Sequence, residues 1–209
     1  MKMGGSSMQK QVIVAISREF GSGGHAIAEQ IAKDMGLKLY DRNILEEIAE
    51  EKSTKAEVLE QYDEKPRNYI LTRRVRGYSN SMAENLAEMQ FEYIKKKAES
   101  GESFVIVGRC AETVLHGTEG LITIFILGDR PVKIKRIEEK YKLSEAEAIA
   151  KMNRHDKHRK MYHNKYSKYK WGDSRNYDVC LNSSRLGVEG TVKALEEYIN
   201  DRIQKRDSE

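Results

Sequence analysis

Val12-Ile13-Val14-Ala15-Ile16-Ser17-Arg18-Glu19-Phe20-Gly21-Ser22-Gly23-Gly24-His25 is the stretch that decides the fold. It opens with a continuous apolar run, which is what a strand buried on both faces of a parallel sheet requires. A glycine cluster follows at once. Beyond it Ile27, Ala28, Ile31, Ala32 and Met35 recur at helical spacing until Gly36, a natural stop. Strand, glycine turn and helix in that order bring backbone N–H groups to the positive end of a helix, and the glycines let an anion approach. A tight strand-to-helix turn would use the same residues. The position directly after the first buried strand favours an anion site, with Gly21, Ser22, Gly23, Gly24 and His25 as its phosphate-binding residues.

Outward from this stretch, Leu37-Lys38-Leu39-Tyr40 reads as a short second strand. Asp41 can cap the next helix, whose buried face is Ile44, Leu45, Ile48 and Ala49. The polar residues 52–80 are expected to form helical pieces, and a firmer helix runs from about Met82 to Ser100. Phe104-Val105-Ile106-Val107 is a third strand, and Leu121 through Leu127, the most apolar segment, is the fourth. Asp129 starts a helix with Pro131 in its first turn, where proline is tolerated. Ser144-Glu145-Ala146-Glu147 has the spacing of a capping box and opens another. Tyr177 to Leu181 is a fifth strand. The last helix places Val188, Val192, Leu195, Ile199 and Ile203 on one face, ahead of a charged tail at 204–209. Strands alternating with helices predict an α/β fold of three layers, a parallel sheet covered on both faces. Residues 11–205 are expected to form a single domain behind a disordered tail at 1–10.

Composition narrows the function classes. Hydrophobic residues make up 39% and charged residues 33% of the 209, which suits a soluble globular chain with a heavily charged surface. No apolar run approaches a membrane span, and the start Met1-Lys2-Met3-Gly4-Gly5-Ser6-Ser7 lacks the apolar core of a signal peptide. Cys110 and Cys180 are far apart and fit reduced thiols better than a disulfide or a zinc site. A cytoplasmic location is the expectation. The net charge of +4 is too modest to identify a partner.

Four groups of residues together resemble the cytidylate kinase-like family. They are Ser17 to Gly24, Tyr40-Asp41-Arg42, Val105-Ile106-Val107-Gly108-Arg109-Cys110-Ala111, and Trp171-Gly172-Asp173 with Tyr177-Asp178 and Asn182. The motifs occur in the family's order and the similarity covers nearly the whole chain from about residue 11. The resemblance implies a P-loop-type nucleoside monophosphate kinase fold: five parallel strands, a phosphate loop, an acceptor region and an arginine-bearing lid at about 150–171. ATP would be the phosphoryl donor and Mg²⁺ its companion ion. A standard loop of this kind ends in Gly-Lys-Ser/Thr, with the lysine on the transferred phosphates and the hydroxyl on Mg²⁺. With Gly23 as the last loop glycine, Gly24 stands at the lysine and Ala26 at the hydroxyl. Arg18 is then the substitute cation, and Ser17 or Ser22 the substitute hydroxyl.

The resemblance also implies that Asp41 and Arg109 contact an acceptor nucleotide, while Cys110 stands where an aspartate is expected. It assigns Arg154 and Arg159, within Arg154-His155-Asp156-Lys157-His158-Arg159, to charge neutralisation during transfer. The catalytic residues expected on this reading are Arg18, Arg154 and Arg159. A plain helix cap at Asp41 and a solvated basic helix face at 154–159 are the bland alternatives. His155, His158 and His163 have no nearby cysteine or carboxylate cluster, so a metal site is not favoured. Basic residues interleaved with Tyr162, Tyr166, Tyr169 and Trp171 could hold single-stranded nucleic acid, but a lid accounts for the same residues. Two function classes remain: a phosphotransferase acting on a small acceptor such as a nucleoside monophosphate, and a non-catalytic nucleotide-binding module with a degenerate phosphate loop.

Overall fold

The computed structural model describes residues 10–41, 43–51, 74–75, 78–79 and 82–208. The opening apolar run becomes β1 (Ile13–Arg18) at the centre of a five-stranded sheet. In chain order the other strands are β2 (Lys38–Tyr40), the pair β3 (Arg74–Val75) and β4 (Tyr78–Ser79), β5 (Phe104–Val107), β6 (Leu121–Leu127) and β7 (Val179–Asn182). The sheet runs β2-β5-β1-β6-β7 with every pairing parallel. Its register sets Ile16 beside both Val107 and Ile124, so the ends of the three central strands open on one edge.

Alternation along the strands sorts their side chains to two faces. Ile13, Ala15, Phe104 and Ile106 pack under α2 (Ile44–Glu51), α3 (Met82–Glu99) and the short α4 (Ala111–Val114). Val14, Ile16, Val105 and Val107 pack under α1 (Gly24–Asp34) and α7 (Ser183–Ser208), where Val192, Leu195 and Ile199 form the predicted stripe. Two further helices, α5 (Arg130–Tyr141) and α6 (Glu145–Tyr166), have a small core of their own from Ile134, Ile137, Ala148 and Met152. Phe20 from the glycine loop packs against that core. The loop is therefore anchored to a helix pair outside the sheet.

The capping box at Ser144 and Glu147 is present in full, with the Ser144 hydroxyl accepting the Glu147 N–H. Three expectations need correction. Where helical pieces were expected in 52–80, β3 and β4 form an antiparallel pair; the remainder of that span lies outside the described residues. The fifth strand starts at Val179, because the Asp178 carboxylate takes both the N–H and the hydroxyl of Thr123 and sets the start of the pairing. The last helix continues to Ser208 rather than ending at 204, and it is kinked at Gly187, whose φ is 69°. No helix among the described residues is long and apolar enough to cross a membrane.

Candidate functional site

The glycine loop sits between β1 and α1 as expected, and two of its glycines have left-handed backbone that other residues rarely adopt: Gly21 at φ 84° and Gly23 at φ 80°. Neighbouring side chains hold the loop from several sides. The Glu19 carboxylate accepts from the Gly128 N–H at 3.1 Å and from Lys133 Nζ at 2.8 Å, with the Lys133 side chain almost wholly buried. Arg136 Nη1 donates to the Gly21 carbonyl at 2.7 Å. The fully buried Ser183 hydroxyl donates to the Ser22 carbonyl at 2.5 Å. Glu19 is thus a strut, tied to the start of α5, rather than a free carboxylate.

Position 24 explains the missing lysine. A Cβ placed on Gly24 would lie 2.5 Å from Cβ of Arg18 and 3.0 Å from its Cγ. Farther out, a Cβ on Gly108 would collide with Nη1 of Arg18. The Arg18 side chain therefore fills the space beside the first residue of α1 and reaches the end of β5. Glycine is needed at position 24 for the stem to pass, whereas at Gly108 the neighbour is the movable end of the side chain and the φ of 79° is the stronger demand for glycine. Counted directly, the residue after the lysine position is His25 rather than Ala26, and neither carries a hydroxyl. The two serines expected to compensate are committed elsewhere: Ser22 Oγ bonds the Glu19 carbonyl and the Gly24 N–H, and Ser17 Oγ bonds Glu112. These residues do not fit the standard protein hydroxyl for Mg²⁺. Among the described residues there is also no group of three or more His, Cys, Asp or Glu able to hold a metal.

Asp41 and Arg109 follow the carboxyl ends of β2 and β5, and Arg18 is the last residue of β1, the third of these neighbouring strands. Ligands of open α/β sheets bind along this edge. Asp41 does cap locally, its Oδ1 accepting the Asn43 N–H at 3.1 Å while the Asn43 side chain accepts the Asp41 N–H. Its other oxygen faces His25 Nε2 at 3.5 Å, which links the glycine-loop histidine with the residue expected to contact an acceptor. Arg109 is buried, and Gly108, Arg109 and Cys110 all have left-handed backbone, with φ of 79°, 61° and 53°. For two non-glycine residues in succession this is a strained conformation, kept only where the surroundings impose it. Arg42 lies outside the described residues.

The basic stretch is part of a continuous 22-residue helix. Asp156 Oδ1 accepts the Phe20 N–H at 2.7 Å, and His155 stacks on the Phe20 ring at 4.2 Å between centroids and 6° between planes. Arg159 lies over the other parts of this junction, its Nη1 donating to the Arg18 carbonyl at 3.1 Å and its guanidinium 5.5 Å from the Phe20 ring. Burial, followed by the positive charges of Arg159, Lys151, Arg154 and His158, pushes the His155 imidazole down to about 4. Burial raises the Asp156 carboxyl above its ordinary range. Of the two expected lid arginines, Arg159 reaches the loop, whereas Arg154 is exposed. Lys133, Arg136, Asp156 and Phe20 were missed by sequence reasoning. Phe20 alone carried a signal, as a large apolar residue inside a glycine loop.

The sequence model of the cytidylate kinase-like family matches residues 13–185. The chain belongs to the cytidylate kinase-like family. An uncharacterized protein from Eubacterium ventriosum is 38% identical over 91% of this chain and 99% of that one, with a TM-score of 0.73. Shikimate kinase from Bacteroides thetaiotaomicron is similar in fold, at 12% identity, coverage of 90% and 98%, and a TM-score of 0.53. A sugar kinase from Janibacter sp. resembles the chain at 14% identity, coverage of 91% and 95%, and a TM-score of 0.51. The three-layer α/β arrangement is thus the fold of P-loop kinases. No match was found among curated proteins.

Proposed function

We propose that this cytidylate kinase-like protein is a phosphotransferase that moves the γ-phosphoryl of ATP to a small acceptor, most simply a pyrimidine nucleoside monophosphate. The observation that carries the reading is Arg18, whose side chain occupies the space beside Gly24. The Arg18 stem fills that space and its guanidinium lies beside Gly108 after β5, so a cation stands at the strand edge next to the loop although its source has moved from α1 to β1. Phosphoryl transfer depends on positioning and on charge stabilisation, for which a fixed guanidinium is suited. On this reading Gly21 to His25 hold the donor phosphates, Asp41 and Arg109 orient the acceptor, and Arg159 joins Arg18 in neutralising charge. Arg154 joins them only after a movement of α6, which is the lid in this scheme.

A second reading, a nucleotide-binding module without turnover, is favoured by the absence of a hydroxyl at positions 25 and 26 and by the commitments of Ser17 and Ser22. A panel of nucleoside monophosphates incubated with ATP and Mg²⁺ and read as ADP formed separates the two. ADP formation that depends on one monophosphate is expected. ATP binding with no turnover across the panel would leave the binding module as the better account.

A further inference from the structure

Glu112 and His163 form a buried pair with no part in holding the glycine loop. Their side chains are 1% and 4% exposed, with Glu112 Oε1 2.7 Å from His163 Nε2. The two atoms are within ion-pair distance but are not aligned as a hydrogen bond. Ser17 Oγ donates to the other carboxylate oxygen at 3.2 Å. A carboxylate removed from water is tolerated where it has partners, and here the partners come from separate parts of the fold. Ser17 precedes Arg18 in β1. Glu112 lies in the first turn of α4, directly after the strained Arg109 and Cys110. His163 lies on α6, on a turn well beyond the one that docks on Phe20. Its Nδ1 has no acceptor among the described residues, so Glu112 is the group that orients the ring.

We propose that Glu112 is a positioning residue that, through His163, clasps α6 to the strand end carrying Arg109, so that acceptor binding and the placement of Arg159 are linked. The proposal rests on the reading of Arg109 as an acceptor contact. Neighbouring contacts run along the same seam: Thr113 Oγ1 to Ser167 Oγ at 2.9 Å, Lys165 Nζ to the buried Glu84 at 2.5 Å, and Phe91 edge-on to Tyr166 at 5.1 Å. The left-handed backbone at Arg109 and Cys110 requires support from the turn of helix next in the chain, and Glu112 anchors that turn. Because Cys110 occupies the position at which the family resemblance leads one to expect an aspartate, Glu112 is also the first carboxylate after the strand.

Calorimetry tests the clasp without relying on turnover. ATP and, in turn, CMP, UMP, AMP and GMP are titrated into the wild type, Glu112→Gln, Glu112→Asp, His163→Gln and the Glu112→Gln/His163→Gln double variant. Melting curves establish which variants fold; if Glu112→Gln does not, Glu112→Asp and His163→Gln carry the test. The expected result is at least tenfold weaker binding of the bound monophosphate in either neutral single variant, with ATP affinity within about twofold. Glu112→Asp should retain part of the affinity, and the double variant should be no worse than a single by more than about twofold, since paired residues are non-additive. Equal weakening of ATP and monophosphate, additive losses, or no monophosphate binding by the wild type would overturn the clasp. Binding of both ligands by the wild type without ADP formation would instead remove the phosphotransferase reading and leave the clasp standing.

Discussion

At position 24 a side chain would meet Arg18, so a lysine cannot simply be added back to this loop. On the proposed function Arg18 supplies the cation that a lysine at position 24 would otherwise give, and that exchange can be tested in reverse. Arg18→Ala should lower kcat by about 10²–10³, the usual loss for one charge-stabilising group. Gly24→Lys alone should destabilise the fold through overpacking by about 1–3 kcal/mol, measured from denaturant midpoints. Combined, the alanine opens the space that the lysine needs, and the double variant should regain at least about tenfold of the lost rate. Turnover unchanged by Arg18→Ala would remove Arg18 from the mechanism. The glycine loop was legible in the sequence because its residues are contiguous. The reason for Gly24 was not, because it depends on where a side chain from the preceding strand travels in space. The same holds for Glu112 and His163, which meet only once α4 and α6 are packed.

Helix α6 shows how an element can be read correctly and its docking missed. The Ser144 capping box fixed where it starts, and the run of Lys, Arg and His marked the lid expected from the family resemblance. What no periodicity disclosed is that Phe20 inserts between α5 and α6 and that His155 is stacked against it. This contact makes stability depend on pH. The His155 imidazole titrates near 4 in the folded protein, against an ordinary value near 6.5. Between those values the unfolded chain holds the additional proton, so acidification favours unfolding. The contribution is intact above about pH 6.5, declines as pH falls towards 4 and levels off below. Asp156 acts in the opposite sense close to its own titration, since its raised carboxyl lets the folded state hold a proton more readily. His155→Phe retains a stacked ring without a titrating group. Its urea midpoint should fall less than that of the wild type between pH 6.5 and 4; parallel curves would mean that protonated His155 is accommodated without loss.

Taken as a whole, the molecule connects the glycine loop with the ends of β2 and β5 by two routes. Along the sheet edge, Asp41, Arg109 and Arg18 stand at the ends of adjacent strands. Across the top, α6 touches the glycine loop at Phe20 with one part and Glu84 of α3 and Glu112 of α4 with another. The five strands of the parallel sheet and the three layers were legible because most of these strands are apolar runs, of which this chain has few. The region 52–80 was not, because polar residues without a clear period say little about local structure. The protein's single tryptophan, Trp171, lies where the second route returns to the sheet. Its backbone N–H is held by Asn164 of α6 at 2.7 Å, while its ring stands edge-on to Phe125 of β6 at 5.4 Å. The chain thereby carries an intrinsic optical probe at the junction of helix and sheet. If α6 shifts when nucleotide binds, the emission maximum or quantum yield of Trp171 should change in a saturable manner without any label. A spectrum unaltered by saturating ATP and acceptor would mean that α6 remains seated throughout.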